Sequence, residues 1–474
     1  MIELRPLLPE LIVAGTAIVV LFADLPLRGA RSRVALVWLC LVGLGAAGVA
    51  IGAVRQEAVV VFGGMYLRDG LADLAQTVIL VAAALAVLLA RDYLVRTGLE
   101  RGEYYALALF AALGAMLMAA TRDLLMLFVA VEILSVPLYI LAAFARPQRR
   151  SQEAGLKYFL LGSFAAALFL YGLAMIYGAA GTTDLIALAD VAPGWMLSLG
   201  LGLVLVGLAF KVAAVPFHVW APDVYEGSPM PAAAYMSVVA KVGAVAAMLR
   251  VLPLSLPALA DLWQPLTAAI AAATMAVANL AALRQTSVKR MLAYSSVAHA
   301  GYVLIGVASG TPDGGWAAVY YLLVYTFMQL GAFGVLLLLE RAGAEADEIA
   351  DLHGLGDRAP ALAAAFALFM ASLTGLPPTA GFLAKFYLFA AAIDAGYMWL
   401  AIVGVVTSVV SVGYYLRAAY AAYTGEARAT VRTLRGSWTA AGVALAAGAV
   451  VLLGVLPGPM TAWAVQLTTV FGGR

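Results

Sequence analysis

Cysteine occurs once, as Cys40 within an apolar run. A single cysteine excludes a disulfide framework and any thiolate cluster for a metal or an iron–sulfur centre. Histidine occurs three times, as His218, His299 and His353, with no metal-ligand spacing. No glycine-rich loop follows a strand-like run, so no phosphate cradle is expected. Charge is scarce too: Asp, Glu, Lys and Arg make up 11% of the chain, against roughly 25% in soluble domains. The net charge of +2 carries no sign of a nucleic-acid partner. Lysine is the scarcest charge, with five residues against 23 arginines.

Apolar residues are abundant. They form 65% of the 474 residues, and the mean hydropathy is +0.99. This composition predicts an all-α polytopic membrane protein, a single membrane domain over 1–474. A helix of about 20 apolar residues crosses a bilayer. Fourteen such spans are expected, at 7–24, 34–54, 71–90, 104–121, 124–145, 154–178, 195–215, 231–250, 264–283, 288–309, 314–340, 360–391, 396–424 and 438–470. The first begins with Glu3, Arg5 and Pro6 and has no convincing cleavage site, so it reads as a retained span.

Two spans are interrupted. The seventh meets Pro216 and Pro222 at its end, and the twelfth contains SLTGLPPTAGF with Pro377 and Pro378. Proline removes a backbone donor. Broken backbone at membrane depth survives only where protein buries it or it lines a wet cavity. Paired interruptions of this kind point to a transport site. They fall at the fourth place of two five-span units, spans 4–8 and 9–13. Five is odd, so the second unit is expected to be inverted. The expected divisions are 1–103 (spans 1–3), 104–253, 254–430 and 431–474. Basic residues between the spans divide unevenly: Arg5, Arg55, Arg68, Arg122, Arg250 and Arg474 on one side, and eighteen on the other, including Arg28, Arg31 and Lys289. The positive-inside bias puts both termini on the non-cytoplasmic side.

Four lysines fall inside apolar runs: Lys157, Lys211, Lys241 and Lys385. An ionisable group there is a functional-site hypothesis by default. A desolvated lysine can gain and lose a proton, whereas arginine stays charged. Glu132 lies nine residues past Asp123, about 13 Å into its span, and is expected to pair with Lys211. A purely structural ion pair is the plainer reading. Lys157 is near its span's start and could snorkel to the surface. Lys385 could cap carbonyls freed by the prolines. His299 could be an ordinary hydrogen-bonded core histidine.

Three stretches together, WAPDVYEGSPMPAAAYMSVVAK, SVKRMLAYSSVAHAGYVLIG and GLPPTAGFLAKFYLF, resemble the proton-translocating membrane subunits of respiratory complex I. That family includes Mrp-type antiporter and membrane-bound hydrogenase subunits. The pattern is most similar to the subunit N family of bacterial NADH–quinone oxidoreductases. Lys385 stands where the M-type subunit carries Glu, and the chain has no long lateral helix of the L-type subunit. The resemblance implies a proton-translocating translocase subunit with no redox site of its own. It implies Glu132 and Lys211 as a coupling pair, Lys241 as central relay, Lys385 as terminal donor, and His299 and Lys157 as candidate relays. It also implies M-like and K-like neighbours and a peripheral NADH-oxidising arm that holds FMN and iron–sulfur clusters. Quinone would bind elsewhere in the complex. The expected location is a bacterial inner membrane. An Mrp-type cation/proton antiporter subunit, or a hydrogenase-type membrane subunit, is the alternative.

Overall fold

The computed structural model describes residues 4–27, 30–53, 58–458 and 461–462. Of the residues invoked for orientation, Arg28, Arg55 and Arg474 lie outside this set, as does most of the last span beyond residue 458. Helices α1 (Leu8–Ala23), α2 (Ala30–Ala53) and α3 (Gly70–Arg96) come first. Next are α4 (Gly102–Ala120), α5 (Leu124–Ala142), α6 (Arg149–Ala180), α7 (Trp195–Val212), short α8 (Trp220–Gly227) and α9 (Met230–Arg250). The chain continues through α10 (Ala260–Leu283), α11 (Val288–Ser309), α12 (Pro312–Leu337), one-turn α13 (Leu355–Arg358), α14 (Pro360–Thr374), α15 (Ala380–Asp394), α16 (Met398–Tyr423) and α17 (Ser437–Val455). Among the described residues, thirteen helices are long and apolar enough to cross a membrane. The expected twelfth span is the fourteenth crossing, split into α14 and α15.

Every residue of α9 is buried, and α11 and α12 are nearly so. These three form the centre, and α1, α2, α6, α16 and α17 form the rim. No hydrophobic effect drives apolar helices together in lipid, so close approach of small residues does it. The alanine- and glycine-rich sequence of α9 permits this.

Both breaks are where prolines predict them, but the first begins earlier. Helix α7 stops at Val212 because Ala213 adopts a left-handed conformation, φ 61°. That conformation disfavours an L-residue by roughly 1–2 kcal/mol. The freed backbone groups find partners. The Val215 N–H donates to Thr274 Oγ1 on α10 at 2.9 Å, and Trp220 Nε1 donates to the Phe210 carbonyl at 3.1 Å. Pro222 sits harmlessly in the first turn of α8. The second break needs two glycines. Gly375 ends α14 at φ 90°. A Cβ on Gly381 would lie 1.8 Å from the Ser372 carbonyl oxygen, so only glycine lets α15 pass α14. Each break contains a cis X–Pro bond, Val215–Pro216 and Pro377–Pro378.

Two small sheets lie between spans. Strands β1 (Val59–Val61) and β2 (Tyr66–Arg68) form an antiparallel hairpin with Val60 opposite Leu67. Strand β3 (Leu339–Arg341) pairs antiparallel with β4 (Ala344–Glu345) on one side and β5 (Val431–Thr433) on the other, with Glu340 opposite Arg432.

Candidate functional site

Three of the four intramembrane lysines lie at or beside the two breaks and on the central helix. Lys211 is in the last turn of α7, Lys241 midway along α9 and Lys385 in the second turn of α15. They are 3%, 2% and 5% exposed, and His299 on α11 is 1% exposed. Among the described residues none of the three lysines makes an ion pair. Each ammonium is held by neutral oxygen.

Lys211 Nζ donates to Ser135 Oγ at 2.7 Å and to Tyr139 OH at 3.2 Å. Lys241 Nζ donates to Ser296 Oγ and to the Ser237 carbonyl at 3.3 Å. Lys385 Nζ donates to the Thr374 carbonyl at 2.8 Å, a group the second break frees. His299 Nδ1 is 2.7 Å from Tyr321 OH and its Nε2 is 3.0 Å from Tyr415 OH. Tyr415 OH also bonds Ser295, the neighbour of Ser296. Lys241, His299 and Val212 line one narrow cavity with Tyr325 and Leu322. It has no room for a water centre.

The expected direct pair between Glu132 and Lys211 is not formed. Glu132 Oε1 has no hydrogen-bond partner among the described residues. The reason is helical phase. Val129 and Val136, three residues before and four after Glu132, are exposed on α5. Glu132 is half-buried at the edge of that outward face, while Ser135 and Tyr139 turn inward to take the ammonium.

Lys157 is not buried with the other three lysines. Its side chain is 43% exposed and reaches Glu153 at 2.7 Å and Asp223 at 3.3 Å. Helix α6 begins at Arg149, five residues before the expected start, and its 32 residues are about 48 Å long. That exceeds a hydrocarbon core of about 30 Å, so its first turns can reach beyond the core. There Lys157 lines an open polar cleft of about 240 Å³ with Arg150, Glu153, Asp223 and Glu226. Hydrogen bonds from Lys157 and Arg290 outweigh the burial of Asp223 and hold its carboxyl below the usual carboxylate range.

Two charged residues assigned to loops are buried in helices. Lys289 donates to Glu345 Oε2 and to the Ser228 carbonyl, both at 2.6 Å. Glu345 Oε1 also accepts from Tyr93 OH at 2.8 Å and from the Met230 N–H at 3.0 Å, which caps the start of α9. Arg250 is 1% exposed and clamps Asp69. Glu10 is buried as well, accepting from Tyr66 OH at 2.6 Å and Gln76 Nε2 at 2.5 Å. Among the described residues, no group of three or more His, Cys, Asp or Glu side chains could hold a metal.

Residues 121–411 match the family described as NADH:quinone oxidoreductase/Mrp antiporter, TM. Over 424 residues the chain is 46% identical to NADH-quinone oxidoreductase subunit N of Trichlorobacter lovleyi, covering 88% of this chain and 86% of the relative. Over 481 residues it is 42% identical to the subunit N of Chloroflexus aggregans, covering 100% and 98%. It superposes on a chain of respiratory complex I from Thermus thermophilus with a TM-score of 0.81 and 38% identity, covering 95% and 97%. This chain belongs to the membrane-subunit family shared by NADH:quinone oxidoreductases and Mrp antiporters, and within it to the subunit N family.

Proposed function

We propose that this chain carries protons across the membrane through Lys211, Lys241, His299 and Lys385, as a subunit of an NADH–quinone oxidoreductase. The observation that supports it most is the set of three buried ammonium groups that have no ion-pair partner among the described residues. A structural ion pair holds its proton. A lysine held only by hydroxyl and carbonyl oxygens can release it, because burial favours the neutral amine. Moving one charge against 100 mV takes about 2.3 kcal/mol, and a tenfold change in proton affinity is worth about 1.4. A swing of about a hundredfold at one lysine is therefore enough.

In this reading the breaks are the moving parts. Lys211 changes its hold on Ser135 and Tyr139. The proton passes to Lys241 and Ser296, then by the Ser295–Tyr415–His299 hydroxyl and imidazole contacts towards Lys385. The cavity between Lys241 and His299 is too tight for water as it stands, so transfer across it needs side-chain movement. Lys157 takes no part. The units at 104–253 and 254–430 each supply one broken helix.

The relatives' subunit N names support membership of a larger assembly, and the proposal extends to its neighbours. M-like and K-like membrane neighbours flank this chain, and lipid covers its apolar rim. FMN, iron–sulfur clusters and the quinone site are in partner subunits, and quinone reduction there drives the row. The location is a bacterial inner membrane, with both termini on the non-cytoplasmic side. Relatives 41–46% identical carry the subunit N name, which makes an antiporter or hydrogenase subunit the weaker reading. Tagging the chain and purifying it in mild detergent tests the assembly: NADH–quinone reductase activity, FMN and iron–sulfur signals should co-purify. In that assembly, Lys211→Met, Lys241→Met or Lys385→Met should each lower the protons moved per electron. Unchanged pumping in all three would sink the reading.

A further inference from the structure

The seat of Lys385 has a second side that no carbonyl supplies. An ammonium has three donors and no acceptor. Among the described residues only one, to Thr374, meets an oxygen. On its other side the ammonium stands over the ring of Tyr302, 4.5 Å from the centroid. The face of an aromatic ring attracts a cation within about 6 Å and has no such attraction for a neutral amine.

The ring is held for this. Tyr302 is 1% exposed on α11. Its hydroxyl turns away from Lys385 to three neutral partners: Asn279 Nδ2 at 3.4 Å, Thr407 Oγ1 at 3.3 Å and Ser408 Oγ at 3.2 Å. Asn279 is itself fixed by Tyr414 OH at 2.9 Å and by the Met275 carbonyl at 2.7 Å. Helices α10 and α16 therefore fix the ring by its hydroxyl, and the face stays free for α15. The same ring packs T-shaped against the imidazole of His299, with centroids 5.7 Å apart and planes at 70°. Tyr302 thus stands between the last two ionisable groups of the row. The other ionisable side chains packed around this seat are Tyr321 on α12 and Tyr414 and Tyr415 on α16, while the sequences of α14 and α17 contain none.

We propose that the Tyr302 ring is the cation seat of Lys385, binding the ammonium when it carries the arriving proton and loosening its hold when the proton leaves. The proposal rests on the proton-row reading. It makes Tyr302 a working residue of the row through its ring, with its hydroxyl serving as the anchor.

The test replaces the ring in the assembled complex and follows protons moved per NADH oxidised, in vesicles, across pH. Tyr302→Phe keeps the face and should leave the alkaline half-point of pumping within about half a pH unit of wild type. Tyr302→Leu removes the face and should move it down by about one and a half units, roughly thirtyfold in proton occupancy. Should Tyr302→Leu fail to assemble, phenylalanine bearing one, two or three ring fluorines at position 302 keeps the shape and weakens the face stepwise. The half-point should then fall with each fluorine. A flat fluorine series, or a Phe variant as impaired as Leu, overturns the proposal. Lys385→Met separates the two ideas: pumping intact in that variant removes Lys385 from the row and overturns the seat with it, whereas pumping lost there with a flat fluorine series refutes only the seat.

Discussion

The clamp between Asp69 and Arg250 should be the most sensitive point outside the row. Arg250 closes α9, and Asp69 is the N-cap of α3. Arg250 Nη1 and Nη2 donate to the two Asp69 oxygens at 2.9 and 2.5 Å, and Nε donates to the Ala119 carbonyl at 2.5 Å. Asp69 Oδ1 also takes the Ala72 N–H at 2.9 Å. Asp69→Ala leaves a buried guanidinium with one carbonyl. Breaking a buried pair costs about 3–5 kcal/mol. Asp69 is 11% exposed, so the lower end applies, about 3 kcal/mol, with about 1 more for the lost cap. At 1.4 kcal/mol per tenfold, the total is roughly a thousandfold at most. Membrane complexes unfold irreversibly, so the readout is the rate of heat inactivation in detergent. Asp69→Asn should keep the cap and lose only the pair. The double variant Asp69→Ala, Arg250→Met leaves no stranded charge and should be more stable than Asp69→Ala alone. A double variant as unstable as the sum of its singles would refute the argument, as would an Asp69→Ala complex with the wild-type half-life.

Lys157→Met should change pumping per electron by less than twofold, because the exposed contacts to Glu153 and Asp223 are worth about 0.5 kcal/mol each; a loss matching that of Lys241→Met would put Lys157 back in the row. Gly381→Ala should prevent the chain from accumulating in membranes, since the new methyl would overlap the Ser372 carbonyl; an immunoblot of membranes decides it. Hydrogen bonds from Arg428 and then Arg341 hold the Glu348 carboxyl below its usual 4.5. A lowered folded value contributes stability above pH 4.5 and loses it as pH falls through that lower value. Limited proteolysis of the 340–358 segment should therefore accelerate only below about pH 4.5, and Glu348→Gln should flatten that step.

The lysines were legible because the chain uses arginine between its spans and lysine within them. The breaks were legible because Pro216, Pro377 and Pro378 interrupt otherwise unbroken apolar runs. What escaped was the identity of the partners. Serine and tyrosine carry no signature of their own, although Ser135 and Tyr139 recur three and seven residues past Glu132, a helical spacing that brings them to one side of α5. Helical phase also turned Glu132 outward by a fraction of a turn, which no run of apolar residues reveals. Charges at the ends of runs misled in the other direction. Arg250 and Lys289 look interfacial in sequence, yet partners 181 and 56 residues away take them inside. Such pairings are made by tertiary packing, and neither residue's neighbours announce them.

The two halves of this chain complete each other's backbone. The Val215 N–H, stranded by the first break, is satisfied by Thr274 from the later half. The start of α9 is capped by Glu345, also from the later half. A gene cut in the connection at 251–259 would thus yield fragments that are not interchangeable with a pair of copies of either one. The first fragment alone would lose the partner of the Val215 N–H at the break, a penalty of several kcal/mol at membrane depth, and the cap on the first turn of α9. Co-expression of both fragments could restore the fold, but two copies of one could not. Each half is therefore finished only by the other, through partners that are unlike on the two sides.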